Sequence, residues 1–197
     1  MTPVGKVNYH EKPVYVIYNP NSGKRRDIRD TIRQTLLSKK IGFKIEDTTG
    51  YMDGWKKAQT LDIDNYSALV AVGGDGTLHE VVNGMMFRQD KKRVPVAFLP
   101  NGSGNDTCKS IGCHSVEQAL EYLKKGDTIK VDLNRVYIDC DSFESVAENP
   151  ALSDEQKYRL VRYSLINASV GFIAKIVHAA QKVKLWAGQA SYLVAAC

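Results

Sequence analysis

The run Gly73-Gly-Asp-Gly-Thr77 holds the residue types best suited to chemistry in this chain. Glycines lack a Cβ and can take φ > 0, so an anion can approach their backbone N–H groups closely. An acid among them repels phosphate unless a metal or a reacting proton stands between the two. Asp75 is therefore either a metal-side carboxylate or the base that takes a proton from an acceptor hydroxyl. The plainer reading is an Asp that caps the next helix with nothing bound. His79 and Glu80 follow in what reads as the first turn of that helix, where the helix dipole by itself favours an acid.

Other short polar runs can join this site. Asn19-Pro-Asn-Ser-Gly23 is a turn whose side chains and freed N–H groups suit a phosphate, and the Lys24 charge stands beside it. Thr48 and Thr49 offer hydroxyls, and Pro100-Asn-Gly-Ser-Gly-Asn-Asp106 is a second flexible, glycine-bearing loop. Asp132 lies among Val and Leu residues, where a carboxylate is costly without a partner. It reads as part of an acidic cluster with Asp75 and Asp106, as a hydrogen-bonded core Asp, or as a solvated strand end.

The elements that must position these residues follow from periodicity. Val14–Tyr18, Phe43–Asp47, residues 67–72, Val94–Leu99 and Thr128–Leu133 read as strands. Ile28, Ile32, Leu36 and Leu37 predict a helix over about 27–40 that stops before Gly42, and 53–60 reads as another. Leu78, Val81, Val82 and Met85 form the apolar side of a helix after the glycine turn, and Val116–Leu123 is amphipathic and ends at Gly126. Alternating strands and helices predict an α/β fold with a parallel sheet. Loops at the strands' C-terminal ends then converge on one ligand edge. Residues 1–12 read as a flexible arm, 13–135 as an α/β lobe, and 136–197 as the start of a second lobe. In that lobe 139–159 reads as an acidic inserted loop, Tyr163–Phe172 as a strand, and 173–185 and 190–197 as helices.

Composition narrows the function classes. Of 197 residues, 43% are hydrophobic and 25% charged, which is ordinary for a globular protein. No apolar run approaches the roughly 20 residues that span a bilayer, and the first ten residues lack a signal-peptide core, so a cytoplasmic chain is expected. The basic clusters Lys24–Arg26 and Lys91–Arg93 lack interleaved aromatics, which argues against nucleic acid and leaves solvated faces, an anionic membrane surface or nucleotide phosphates. Four cysteines without paired Cys-x-x-Cys spacing read as reduced structural thiols, not as a zinc site. There is no Gly-x-x-x-x-Gly-Lys-Ser/Thr loop, no Gly-x-Gly-x-x-Gly fingerprint and no Gly-x-Ser-x-Gly elbow.

Taken together, Asn19–Gly23, Gly73–Gly84 and Leu99–Asp106 resemble, in order and spacing, the diacylglycerol kinase catalytic family, which includes bacterial diacylglycerol kinases, sphingosine kinases and ceramide kinases. Lys130–Leu133 and Ser169–Ala174 are similar to the family's following blocks, so the resemblance covers about residues 13–197. It implies a Rossmann-like, phosphofructokinase-like parallel sheet with flanking helices, followed by a β-rich second lobe that this length truncates. It implies phosphoryl transfer from ATP to a lipid hydroxyl, with magnesium, at a membrane surface to which the protein attaches peripherally. Nucleotide is expected on Asn19, Pro20, Asn21, Ser22, Gly23, Thr48, Gly73, Gly74, Gly76, Thr77, Glu80, Gly102 and Ser103. Asp75 matches the general base, and Asp75, Asp106 and Asp132 match a magnesium–water network. Lys175 stands where sphingosine kinases place an acid for the lipid's head group, which leans the acceptor towards diacylglycerol; His79 resembles the sphingosine and ceramide branch. An NAD kinase-like enzyme and an inactive nucleotide-binding fragment are the alternatives, and a homodimer is left open.

Overall fold

The computed structural model describes residues 2–23, 27–140 and 142–166. The chain divides into two units, Met1–Leu165 and Ile166–Cys197. Every described strand and helix belongs to the first unit. The expected strand beyond Ile166, the helices over 173–185 and 190–197, and the positions of Lys24 and Lys175 lie outside the described residues.

The centre is a four-stranded parallel sheet of order β3-β2-β4-β5, formed by β2 (Val14–Tyr18), β3 (Phe43–Asp47), β4 (Ala68–Gly73) and β5 (Val96–Pro100). β2 and β4 are buried at every residue, which is why they read as unbroken apolar runs. On one face Val14, Val16, Tyr18, Val70 and Val72 pack with Ile32 and Leu36 of α1 (Arg29–Ser38) and Leu120 and Leu123 of α5 (Val116–Lys125). On the other, Tyr15, Ile17, Leu69 and Ala71 meet Ala58 of α2 (Asp53–Thr60) and Leu78, Val81, Val82 and Met85 of α3 (Asp75–Met86). α5 ends at a left-handed Gly126, as expected, and begins at Ser115, whose side chain accepts from the Gln118 N–H. No helix among the described residues is long and apolar enough to cross a membrane.

Four local expectations need correction. The N-terminal arm is strapped down rather than loose. β1 (Gly5–Lys6) pairs antiparallel with β6 (Asp127–Thr128), and the Tyr9 hydroxyl donates to the Leu123 carbonyl at 2.8 Å. The strand expected over Thr128–Leu133 is shorter: only Asp127–Thr128 pairs, with Gly5–Lys6 of the arm, and Asp132 lies beyond it, exposed. The acidic segment is not a loop. It forms α6 (Glu144–Ala147) and α7 (Asp154–Leu160), the latter started by a Ser153–Gln156 capping box, and buries Val146, Ala147 and Tyr158 against Trp55 and Phe87. Finally, the helix after the glycine turn begins at Asp75 itself, which moves His79 and Glu80 into its second turn.

β7 (Asn134–Tyr137) and β8 (Val161–Ser164) form an antiparallel pair that packs in this same unit. Asn83 of α3, fully buried, holds β8 as a neighbouring strand would. Its Nδ2 donates to the Tyr163 carbonyl at 2.9 Å and its Oδ1 accepts from the Tyr163 N–H at 2.8 Å.

Candidate functional site

The chain runs from β2 outward to β3, then returns to place β4 on the other side of β2. The strand order therefore reverses between β2 and β4, and the loops leaving those two strands flank this switch point, where open parallel sheets bind ligands. Those loops are Asn19–Gly23 and Gly74 at the start of α3, and the loop after β5 closes in from the side.

The contacts among the loops are close. Asn19 anchors the first, with its N–H on the Val72 carbonyl at 2.9 Å and its Nδ2 donating to Thr77 Oγ1 at 2.9 Å. Its Oδ1 accepts from the Asn21 N–H at 2.9 Å, the Asx turn that an Asn-Pro-Asn sequence favours. The Ser22 hydroxyl lies 3.1 Å from the Asn19 carbonyl and 3.2 Å from that of Asn101. Gly23 has φ +58°, and a Cβ there would fall 2.3 Å from the Asn101 carbonyl oxygen. A Cβ on Gly102 would fall 2.3 Å from Gly74 Cα, so the two glycine loops touch backbone to backbone.

Glycine thus works differently from expectation in the Gly73–Thr77 run. Gly73, Gly74 and Gly76 do not take positive φ. Gly73 is needed because a Cβ would fall 2.4 Å from Thr77 Oγ1, and Gly74 because Gly102 lies against it. Gly76 is different again: it is exposed, and a Cβ there meets nothing within 4 Å. It stands in the first turn of α3, at the positive end of the helix dipole, where the Thr77 and Leu78 N–H groups already donate to the Gly74 carbonyl at 2.9 and 3.2 Å.

Asp75 is half-buried, and its carboxylate accepts from the Asp106 N–H at 3.1 Å and the Thr107 N–H at 2.9 Å. It does cap a helix, though not its own: those N–H groups open α4 (Asp106–Ser110). The intervening turn is held by Asn105, which takes a left-handed backbone (φ 56°). Its Oδ1 accepts from the Gly102 N–H at 2.9 Å and its Nδ2 donates to the Gly102 carbonyl at 2.8 Å. The loop is therefore braced rather than flexible. Asn105 was not among the residues singled out for the site. Its signal was available, since Asn is the non-glycine residue that best tolerates this backbone region.

The remaining candidates separate. A Cβ on Gly104 would lie 3.4 Å from both Asp75 Oδ2 and Asp106 Oδ2, so these two oxygens face a common space. Asp132 does not join them, and among the described residues no group of three His, Cys, Asp or Glu side chains is placed to hold a metal ion. The donor set still suits magnesium, which keeps several waters and needs only one or two carboxylates beside substrate phosphates. Glu80 turns inward: its two oxygens accept from the Met52 and Gly54 N–H groups at 3.1 Å each, capping α2. Burial pushes its pKa above the usual carboxylate value. Thr48 is buried with its N–H on the Tyr18 carbonyl, and His79 packs against Tyr158, where burial pulls its pKa down to about 4.

Comparison with known proteins finds similarity over the stretch that forms the parallel sheet. The family model described as the diacylglycerol kinase catalytic domain matches residues 13–136. A diacylglycerol kinase of Staphylococcus aureus (strain bovine RF122 / ET3-1) is 31% identical over 131 residues, covering 64% of this chain and 40% of its own length. Sphingosine kinase B of Dictyostelium discoideum is 27% identical over 135 residues, covering 64% of this chain and 17% of its own. The crystal structure of a diacylglycerol kinase from Bacillus anthracis str. Sterne superimposes with a TM-score of 0.54 and 25% identity, over 62% of this chain and 45% of that one. The chain thus matches well under half the length of these curated relatives.

Proposed function

The chain belongs to the diacylglycerol kinase catalytic family, and from that premise we propose that it carries ATP-dependent transfer of a phosphoryl group to a lipid hydroxyl, with diacylglycerol as acceptor and phosphatidic acid as product. The observation that carries this reading is Gly76. A glycine in a helix is about 1 kcal/mol worse than alanine, and here neither a close neighbour nor a positive φ accounts for it. Close approach of an anionic ligand to the first turn of α3 does, and that turn opens at the sheet's reversal point.

The residues then take roles consistent with their geometry. The Asp75 and Gly76 N–H groups at the start of α3 and the Asn19–Gly23 and Gly102–Ser103 backbones receive the nucleotide phosphates. Asp75 takes the proton of the lipid hydroxyl as oxygen–phosphorus bonding develops. Two donors from α4 fix its orientation, and a carboxylate offers about four lone pairs, so it retains capacity to accept the substrate's O–H. Asp75 and Asp106 would hold magnesium, which when bound offsets phosphate charge. The acceptor is a membrane lipid, so the reaction belongs at a bilayer surface with the protein attached peripherally on its cytoplasmic side.

The test is transfer of labelled γ-phosphate from ATP–magnesium to mixed vesicles holding diacylglycerol, sphingosine or ceramide. Labelled phosphatidic acid as the sole product is the expected result. Label on sphingosine or ceramide instead would overturn the acceptor. No labelled lipid, with ATP binding intact by calorimetry, would overturn transfer by this chain and leave a nucleotide-binding unit.

A further inference from the structure

A second concave site lies at the opposite end of the sheet, where β2 begins and where α1 and α5 end. It is a cleft of about 700 Å³ lined by Lys6, Tyr9, Lys39, Ile41, Lys124 and Lys125, with Glu121 its lone lining carboxylate. Lys124 pairs with Glu121, whereas Lys6, Lys39 and Lys125 make no ion pair among the described residues. Three unpaired ammonium groups around one hollow repel one another unless an anion sits between them.

The ordinary explanation is that lysines favour helix C-termini, and α1 and α5 both end here. The magnitudes do not close on that explanation. Two helix C-termini together carry roughly one negative charge and the lining Glu121 adds another, against four lining lysines; even with Asp127, which stands opposite Lys6 in the β1–β6 pair, a surplus of about one to two positive charges remains. Lys6 belongs to a strand, so no dipole of its own element explains it, and Asp127 opposite it in the β1–β6 pair makes no ion pair with it. The walls are also built rather than loose. The Val7 N–H donates to the Gly126 carbonyl at 2.8 Å, and Tyr9 bonds to Leu123. Gly126 is left-handed, and a Cβ there would lie 3.0 Å from the Tyr9 ring, so the arm seats tightly on the end of α5.

We propose that this cleft binds a phosphate monoester, whose charge of about −1.5 to −2 near neutral pH matches the surplus. Val7, Tyr9 and Ile41 give it an apolar side, which favours an organic phosphate over the bare ion. The ligand is a soluble phosphate monoester or the head group of phosphatidic acid, and both present the same dianion. The site is separate from the loops that follow the strands' C-terminal ends, and its binding stands independently of the kinase reading.

The experiment follows backbone amide NMR shifts of the whole chain during titration with glycerol 3-phosphate, and sedimentation with phosphatidylcholine vesicles with and without phosphatidic acid. The control is the pair Lys39→Gln and Lys125→Gln, both at exposed positions, checked for unchanged shifts elsewhere. Saturable shifts at residues 6–10 and 121–126, weakened about tenfold or more in the double variant and by added salt, support a soluble ligand. Sedimentation that needs phosphatidic acid and is lost in the double variant supports the lipid source. Shifts confined to residues 74–77, or equal binding by the double variant and the wild type in both arms, would overturn the site.

Discussion

Asp75 shows how one carboxylate can serve two elements. It opens α3, yet its oxygens are held by the first N–H groups of α4. Asp75→Asn keeps one acceptor oxygen for those donors, so the fold should survive, while the proposed general base is lost. Phosphoryl transfer is expected to fall by roughly 10²–10⁴-fold with an unchanged circular dichroism spectrum, and a wild-type rate would remove Asp75 as base. His79 makes a different prediction. Burial lowers its pKa from 6.5 to about 4, with the Arg162 charge adding to the shift. A depressed pKa means that the folded state prefers the neutral ring. Its contribution is therefore full above pH 6.5 and is lost as pH falls towards 4, by up to about 3 kcal/mol. Urea midpoints should drop over that window in the wild type and drop less in His79→Leu.

At the scale of elements, Asn83 is the clasp. The motif Asn83-Gly84 reads in sequence as the tail of a glycine-turn helix, but its position decides its use. Gly84 lets α2 close on α3, since a Cβ there would fall 2.1 Å from the Trp55 carbonyl oxygen. One residue earlier, Asn83 ties β8 to the same helix. Asn83→Ala would leave the N–H and carbonyl of a buried Tyr163 without their partner, at a cost of about 2–4 kcal/mol. Denaturation midpoints measure that loss, and the Tyr163 amide should exchange with solvent much faster. An unchanged exchange rate would mean that β7 alone holds β8.

Across the whole molecule, the arm is part of the core. Val7 and Tyr9 pack against the α1–α5 side of the sheet, and burial pushes the Tyr9 hydroxyl pKa up to about 12. Removing residues 2–10 should therefore cost about 2–4 kcal/mol, the order expected for uncovering two partly buried side chains and a hydrogen bond. Thermal unfolding of the shortened chain tests this. A midpoint equal to that of the full chain would show the arm to be an appendage.

Short-range chemistry made a large part of this molecule legible from the order of its residues. β2 and β4 could be read because burial on both faces demands unbroken apolar runs, and α5 because its apolar period and its Gly126 stop are local. The convergence of the Asn19, Gly73 and Gly102 loops was legible too, since parallel strands bring their C-terminal ends to one edge. How those loops are used was settled by folding in three dimensions. Glu80 faces α2, Asp132 stays apart from Asp75 and Asp106, and Asn105 braces the turn that orients Asp75. Each of these depends on which backbone N–H groups arrive from a distant segment. A side chain's type records that it can accept a hydrogen bond; packing chooses the donor.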